Sequence, residues 1–146
     1  MSMLSPPANS SPEGPYHQVI AVLVGRTPGT IDDVVHHLWG NLSQQLTALI
    51  GHEGCNALFD RSLHMTSAQF PWLTSHNAPF GERVPLEVLK SALQPRDSDE
   101  SARAVILLLS TFTGLLCMLI GQNLTTNILR TAWGDAFEEA LREISQ

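Results

Sequence analysis

The amino-acid sequence predicts an all-α fold, a single-domain helical bundle of five or six helices with a central apolar helix at about 99–133. Three observations carry this. Apolar side chains recur at the 3.6-residue helical period along most of the chain. Thr30 with Asp33 and Asp97 with Glu100 have the spacing of N-terminal capping boxes, in which two orphan backbone donors are satisfied reciprocally. Ala104 to Ile120 is seventeen residues without a charge, and a helix apolar on every side is one that other helices surround.

The elements follow in order. Residues 1–15 hold four Pro and four Ser and read as a flexible tail, leaving 16–146 as the bundle. The tail lacks the basic and apolar regions of a signal peptide. Residues 16–25 are short and apolar, and periodicity alone leaves strand and helix both open; the helical character of all that follows favours a first helix. GRTPGT is a turn, and the Thr30 box opens a helix to about Ile50. Its stripe is Ile31, Val34, Val35, Leu38, Leu42, Leu46 and Leu49, with Asp33, His37, Gly40 and Gln44 pointing away. Gly51 breaks the pattern, and residues 52–70 resume it with Cys55, Leu58, Phe59, Ser62, Thr66 and Phe70 inward, until Pro71 ends it. Residues 71–85 form a loop pinned by Trp72 and Phe80. Pro85 suits the first turn of a short helix carrying Leu86, Leu89 and Leu93. The long helix then runs from the Asp97 box until Gly134 interrupts it. Asp135 with Glu138 starts a last amphipathic segment through Phe137, Leu141 and Ile144. The core is expected to contain Val35, Leu38, Leu42, Leu49, Leu58, Phe59, Leu108, Phe112, Leu115 and Leu119.

Composition narrows the function. At 146 residues and 43% hydrophobic side chains, the chain can bury a core without metals or disulfides. Its eight Lys and Arg are scattered singly in a chain of net charge −6, so no basic stripe exists to follow a phosphate backbone, and nucleic acid is not an expected partner. The two cysteines, Cys55 and Cys117, lie in apolar helical segments and read as buried thiols of a reducing compartment, placing the protein in the cytoplasm. A membrane is not expected either. A bilayer core needs about 20 apolar residues, and the uncharged run is shorter, contains Ser110, Thr111, Thr113 and Gly114, and lacks flanking aromatic belts or a Lys/Arg cluster.

Within the central helix, Ser110, Gly114, Cys117 and Gly121 fall on one narrow stripe of small side chains. Glycine inside a helix costs about 0.5–1 kcal/mol relative to alanine, so something is expected to approach closely there. Three neighbours are possible: another helix of the same chain, the same helix of a second copy in a homodimer, or a flat ligand in a pocket.

Chemistry-bearing patterns are sparse. His52/Cys55, Asp32/His36 and Asp33/His37 have spacings that can place two ligands on one helix face, but no third ligand completes any of them, and no metal or other cofactor is expected. A Gly-rich phosphate loop, a nucleophile elbow and a paired-carboxylate motif are all missing from the sequence. One stretch is more specific. The order His36-x-Leu38-Trp39-Gly40-Asn41 resembles the His-x-Leu-Lys-Gly-Ser pattern of histidine phosphotransfer domains, small four-helix bundles that exchange a phosphoryl group with response regulators. The resemblance implies an exposed His36 as nucleophile, with Gly40 beside it leaving room for the partner's aspartate loop. Trp39 and Asn41 depart from the family's Lys and its Ser or Ala. The competing reading has solvated His36 and His37, with Gly40 admitting a neighbouring helix.

The sequence thus points to a non-enzymatic cytoplasmic interaction or regulatory module of the kind used in bacterial signalling, self-associating as a homodimer and acting on a partner protein. The alternatives are a phosphotransfer protein using His36 and a small-ligand sensor with a pocket beside the central helix.

Overall fold

A computed structural model describes residues 16–73, Leu93 and 97–144. The expected tail, most of the 71–85 loop and the short helix after Pro85 lie outside the described residues, save Leu93. Among the described residues the fold is entirely helical: α1 (His17–Arg26), α2 (Ile31–Thr66), α3 (Ser98–Ile120) and α4 (Gln122–Ile144), with a 3-10 turn at Pro71–Leu73. Residues 17–26 are therefore helix, not strand. Among the described residues the α-helices number four where five or six are expected: the short helix after Pro85 lies outside them, and at Gly51 and Gly134 one helical segment follows the other with no loop between, only a single non-helical glycine.

Local chemistry sets the ends. Thr30 Oγ1 accepts from the Asp33 N–H at 3.3 Å while Asp33 Oδ2 accepts from the Thr30 N–H at 3.1 Å, the complete capping box. Gly29, at φ 104°, is required just before it, since a β-carbon there would lie 2.6 Å from Asp33 Oδ2. Asp97 caps α3 through the Glu100 N–H at 2.8 Å. Glu100 does not reciprocate; its carboxylate accepts from Trp72 Nε1 at 2.8 Å. The expected interruption at Gly134 is present, at φ 59° and ψ −138°, but Glu138 pairs with Arg130 instead of forming a box with Asp135.

The helix expected over 99–133 is two helices. Gly121 adopts φ 92° and ψ 157°, and its N–H donates to the Cys117 carbonyl at 2.8 Å, closing α3 before α4 begins at Gln122. Only glycine takes that conformation without strain, which is why the stop falls there. Gly51 does the same for α2 at φ 80°. Trp39 and Phe59 have ring centroids 5.1 Å apart, whereas a straight helix would separate those positions by about 30 Å. Hence α2 doubles back on itself.

Named contacts fix the directions. Trp39 also meets Phe112 of α3 edge-on at 4.9 Å, and Trp133 Nε1 of α4 donates to the Leu38 carbonyl at 3.0 Å. His17 Nδ1 lies 3.3 Å from Ser110 Oγ, Tyr16 Oη 2.6 Å from Thr126 Oγ1, and Arg26 pairs with Glu139 and Glu143. Helix α1 therefore runs parallel to α4 and antiparallel to α3. The short link after Arg26 starts α2 at the Arg26 end, and its first half travels toward the end where α3 gives way to α4. Both glycine reversals, Gly51 and Gly121, consequently sit at the same end of the bundle.

The core contains Val35, Leu38, Leu42, Phe59, Leu108 and Phe112 as expected, along with Trp39, Leu46, Leu63, Leu116, Leu129, Trp133 and Phe137. Leu58 and Leu115 are only half-buried. Leu49 and Leu119 are corrections: they are 51% and 61% exposed. Both stand beside a reversal, past the level where the neighbouring helices can cover them. From Ala104 to Thr113, α3 is buried on nearly every side, and its Ser110 and Thr113 hydroxyls donate back to the Ile106 and Leu109 carbonyls at 2.6 and 3.0 Å. The helical segment Asp99–Ile120 is nonetheless long and apolar enough to cross a membrane by length and composition, with a mean hydropathy of 2.1. Counting only the uncharged run understated its length. Of its most apolar window, 56% is buried inside the bundle.

Candidate functional site

Burial fades along the last turns of α3. Leu116 is fully buried, but Met118 is 84% and Leu119 61% exposed, and Leu124, just past the Gly121 reversal, is 42% exposed. Leu49 stands next to the other reversal. Four large apolar side chains are thus offered to solvent at one end of the bundle. The surrounding sequence carries no charge: no Asp, Glu, Lys or Arg occurs from Val34 to His52 or from Ala104 to Leu129. Among the described residues the solvated polar positions near the two reversals include Gln44, His52, Gln122 and Asn123, with Glu53 the one acid near Gly51. The sequence pattern marks neither Met118 nor Leu124 as part of a site. The two uncharged spans were visible, but only the paired glycine reversals bring them to one end.

The small-residue stripe divides along its length. Ser110 is fully buried, and its oxygen, having donated its proton to Ile106, accepts from His17 Nδ1 of α1. Its close neighbour is an intrachain helix. Gly114 and Cys117 are half-buried, and Gly121 is exposed, outside the helix, with nothing within 4 Å of where a β-carbon would stand. Two of the four therefore border the apolar end.

His36 and His37 are exposed on the second turn of α2, as the phosphotransfer resemblance implies for His36. A β-carbon at Gly40 would meet nothing within 4 Å. No neighbouring helix fills that space, so the packing explanation of Gly40 fails. Trp39, in the position of the family's Lys, is buried between Phe59 and Phe112 and offers no cation to a phosphoryl group.

Cys55 is buried, and burial pushes its thiol up to about 11, which keeps it protonated and unreactive. His52, three residues before it, is exposed. Among the described residues, no three His, Cys, Asp or Glu side chains come together as a metal site. Tyr16 is also displaced upward, chiefly by burial and against the hydrogen bond from Thr126, so its phenol stays neutral.

No known family model matches the chain, and neither characterised proteins nor solved structures show significant similarity to it.

Proposed function

We propose that the protein is a non-enzymatic cytoplasmic interaction module that self-associates through the uncharged apolar end of its bundle and presents the rest of its surface to a partner protein in a signalling assembly. The observation that carries this reading is the exposure of Met118, Leu119, Leu124 and Leu49 on spans free of Asp, Glu, Lys and Arg. Exposed apolar clusters of this kind mark association surfaces. A second copy is the occupant that the charge pattern favours. Two molecules of net charge −6 repel, and a two-fold interface sets each patch against itself, so a charge close to the axis would face its like. This end avoids that cost. Light scattering on the full chain tests it: the expected mass is twice 16.0 kDa, falling to the monomer value in Met118→Gln/Leu119→Gln with thermal melting unchanged. A monomeric wild type, or a double variant of unaltered mass, refutes the reading.

A second reading has His36 accepting a phosphoryl group from a response regulator or kinase. What favours it is the exposed imidazole beside the open space at Gly40. Incubation with kinase and ATP should then give an acid-labile label that His36→Gln abolishes; no label under any condition removes it.

A further inference from the structure

Away from the apolar end, α1, α3 and the segment after α2 enclose a cavity of about 250 Å³ open to solvent, lined by His17, Ala21, Gln69, Phe70, Arg103, Ile106 and Leu107. Its composition is two-sided. Ala21, Phe70, Ile106 and Leu107 supply apolar walls, and Arg103, His17 and Gln69 supply the polar part. The walls are braced: Phe70 packs edge-on against Trp72 at 5.8 Å, and the Trp72 indole is held by Glu100 at 2.8 Å.

Two features of the cavity lean toward a negative ligand, Arg103 and the start of α1. Arg103 is exposed, and among the described residues no carboxylate pairs with it, in contrast to Arg26 and Arg130, both of which are engaged by glutamates. His17 donates from Nδ1 to Ser110, whose own proton is committed to the Ile106 carbonyl, so Nε2 of the neutral ring is an acceptor and the contact with an anion falls to Arg103. His17 and Ala21 belong to the first turns of α1, where Tyr16 provides no side-chain cap and the first turn carries no acid, so among the described residues no acid of that turn offsets the positive end of the helix dipole. A cavity of about 150 Å³ takes a benzene ring; this one has room for a single ring or short alkyl chain together with a carboxylate.

We infer that this cavity binds a small apolar carboxylate, aromatic or short-chain aliphatic, with its body against Phe70, Ile106 and Leu107 and its carboxylate on the Arg103 guanidinium. The site is separate from the association surface and stands whether or not the protein dimerises. A planar guanidinium makes paired, charge-assisted bonds to a carboxylate, so the charge is read and not merely tolerated.

The test uses benzoate and hexanoate as probes and benzamide as the neutral control, titrated into the full chain with Trp fluorescence and amide chemical shifts as readouts. Benzoate, hexanoate or both should bind saturably, with benzamide about tenfold weaker or more. Arg103→Gln should lower carboxylate affinity about tenfold while leaving benzamide unchanged. Ala21→Phe should fill the cavity and abolish all binding; because that change is internal, its melting is checked, and the exposed Arg103→Gln variant carries the test if it unfolds. Absence of saturable binding by both carboxylates overturns the site. Carboxylate binding that is indifferent to Arg103→Gln, or no stronger than that of benzamide, overturns the assigned class.

Discussion

The two ends of this bundle are built by opposite means. At the Arg26 end, helix termini are tied by charge and capping: Arg26 joins α1 to Glu139 and Glu143 of α4, the Thr30 box opens α2, and Asp97 caps α3. At the other end Glu53 is the one acid next to a reversal among the described residues, and the chain reverses twice on single positive-φ glycines, Gly51 and Gly121, leaving Leu49, Met118, Leu119 and Leu124 in water. An end held by ion pairs keeps a −6 molecule soluble and discourages close approach of another copy. An end made of turns and apolar side chains gains little from solvent and much from a cover. The contrast separates holding the fold from meeting a partner.

Five substitutions sharpen or break this contrast. The largest effect belongs to neither end but to the Trp39, Phe59 and Phe112 cluster that joins them. Phe112→Ala should cost about 3–5 kcal/mol by urea denaturation, and a loss below about 1 kcal/mol would place the centre elsewhere. Next are the reversals. Gly121→Ala should cost about 1–2 kcal/mol through backbone strain alone, since nothing crowds the site. Gly40→Ala, in a regular helical turn with equally open surroundings, should instead stabilise by about 0.5–1 kcal/mol. Equal signs for the two glycines would break the argument that the reversals are conformational. Thr30→Ala should cost about 1 kcal/mol, read by the same denaturation. Smallest is Arg26→Gln: the pair is about half exposed, so the loss should be about 0.2–1 kcal/mol and should shrink as salt is added.

A pH scan addresses the interior of the second half of α2. The Cys55 thiol is raised to about 11 from 9.0 by burial. Its pKa in the unfolded chain is the lower one, so above pH 9 the unfolded state gives up a proton that the folded state retains. Stability should therefore fall between pH 9 and 11, and Cys55→Ala should flatten that slope. Under native conditions a thiol reagent should label Cys117, which is half-buried, well before Cys55.

The sequence was most readable where one residue decides the outcome locally. The Thr30 box, the stop at Gly51 and the interruption at Gly134 follow from side-chain chemistry and backbone freedom, and each is in place. Gly121 misled because an apolar, helix-period pattern continues on both sides of it; a glycine flanked by helix can be interior or terminal, and only its φ separates the two. Leu49 and Leu119 misled for a related reason. They keep the period of the core stripe, but period says which side a residue faces, not whether a neighbour reaches that far along the axis. Trp39 lies off the predicted stripe, yet it is buried because the second half of α2 folds back over it. The apolar end and the Arg103 cavity are products of how helices meet, so neither could be read from any one segment.

The reversal at Gly51 has no loop to spare. With one residue between helical segments, the rotation of the second segment about its own axis is set by chain length as firmly as by any contact. Inserting a single residue there would turn everything downstream by about 100°, swinging Cys55, Phe59, Ser62 and Thr66 away from α3. Such a connection cannot absorb insertions or deletions by bulging outward, as a longer surface loop does. At this joint, therefore, the number of residues is as constrained as their identity, and change in length across the chain should be confined to segments away from the two glycines.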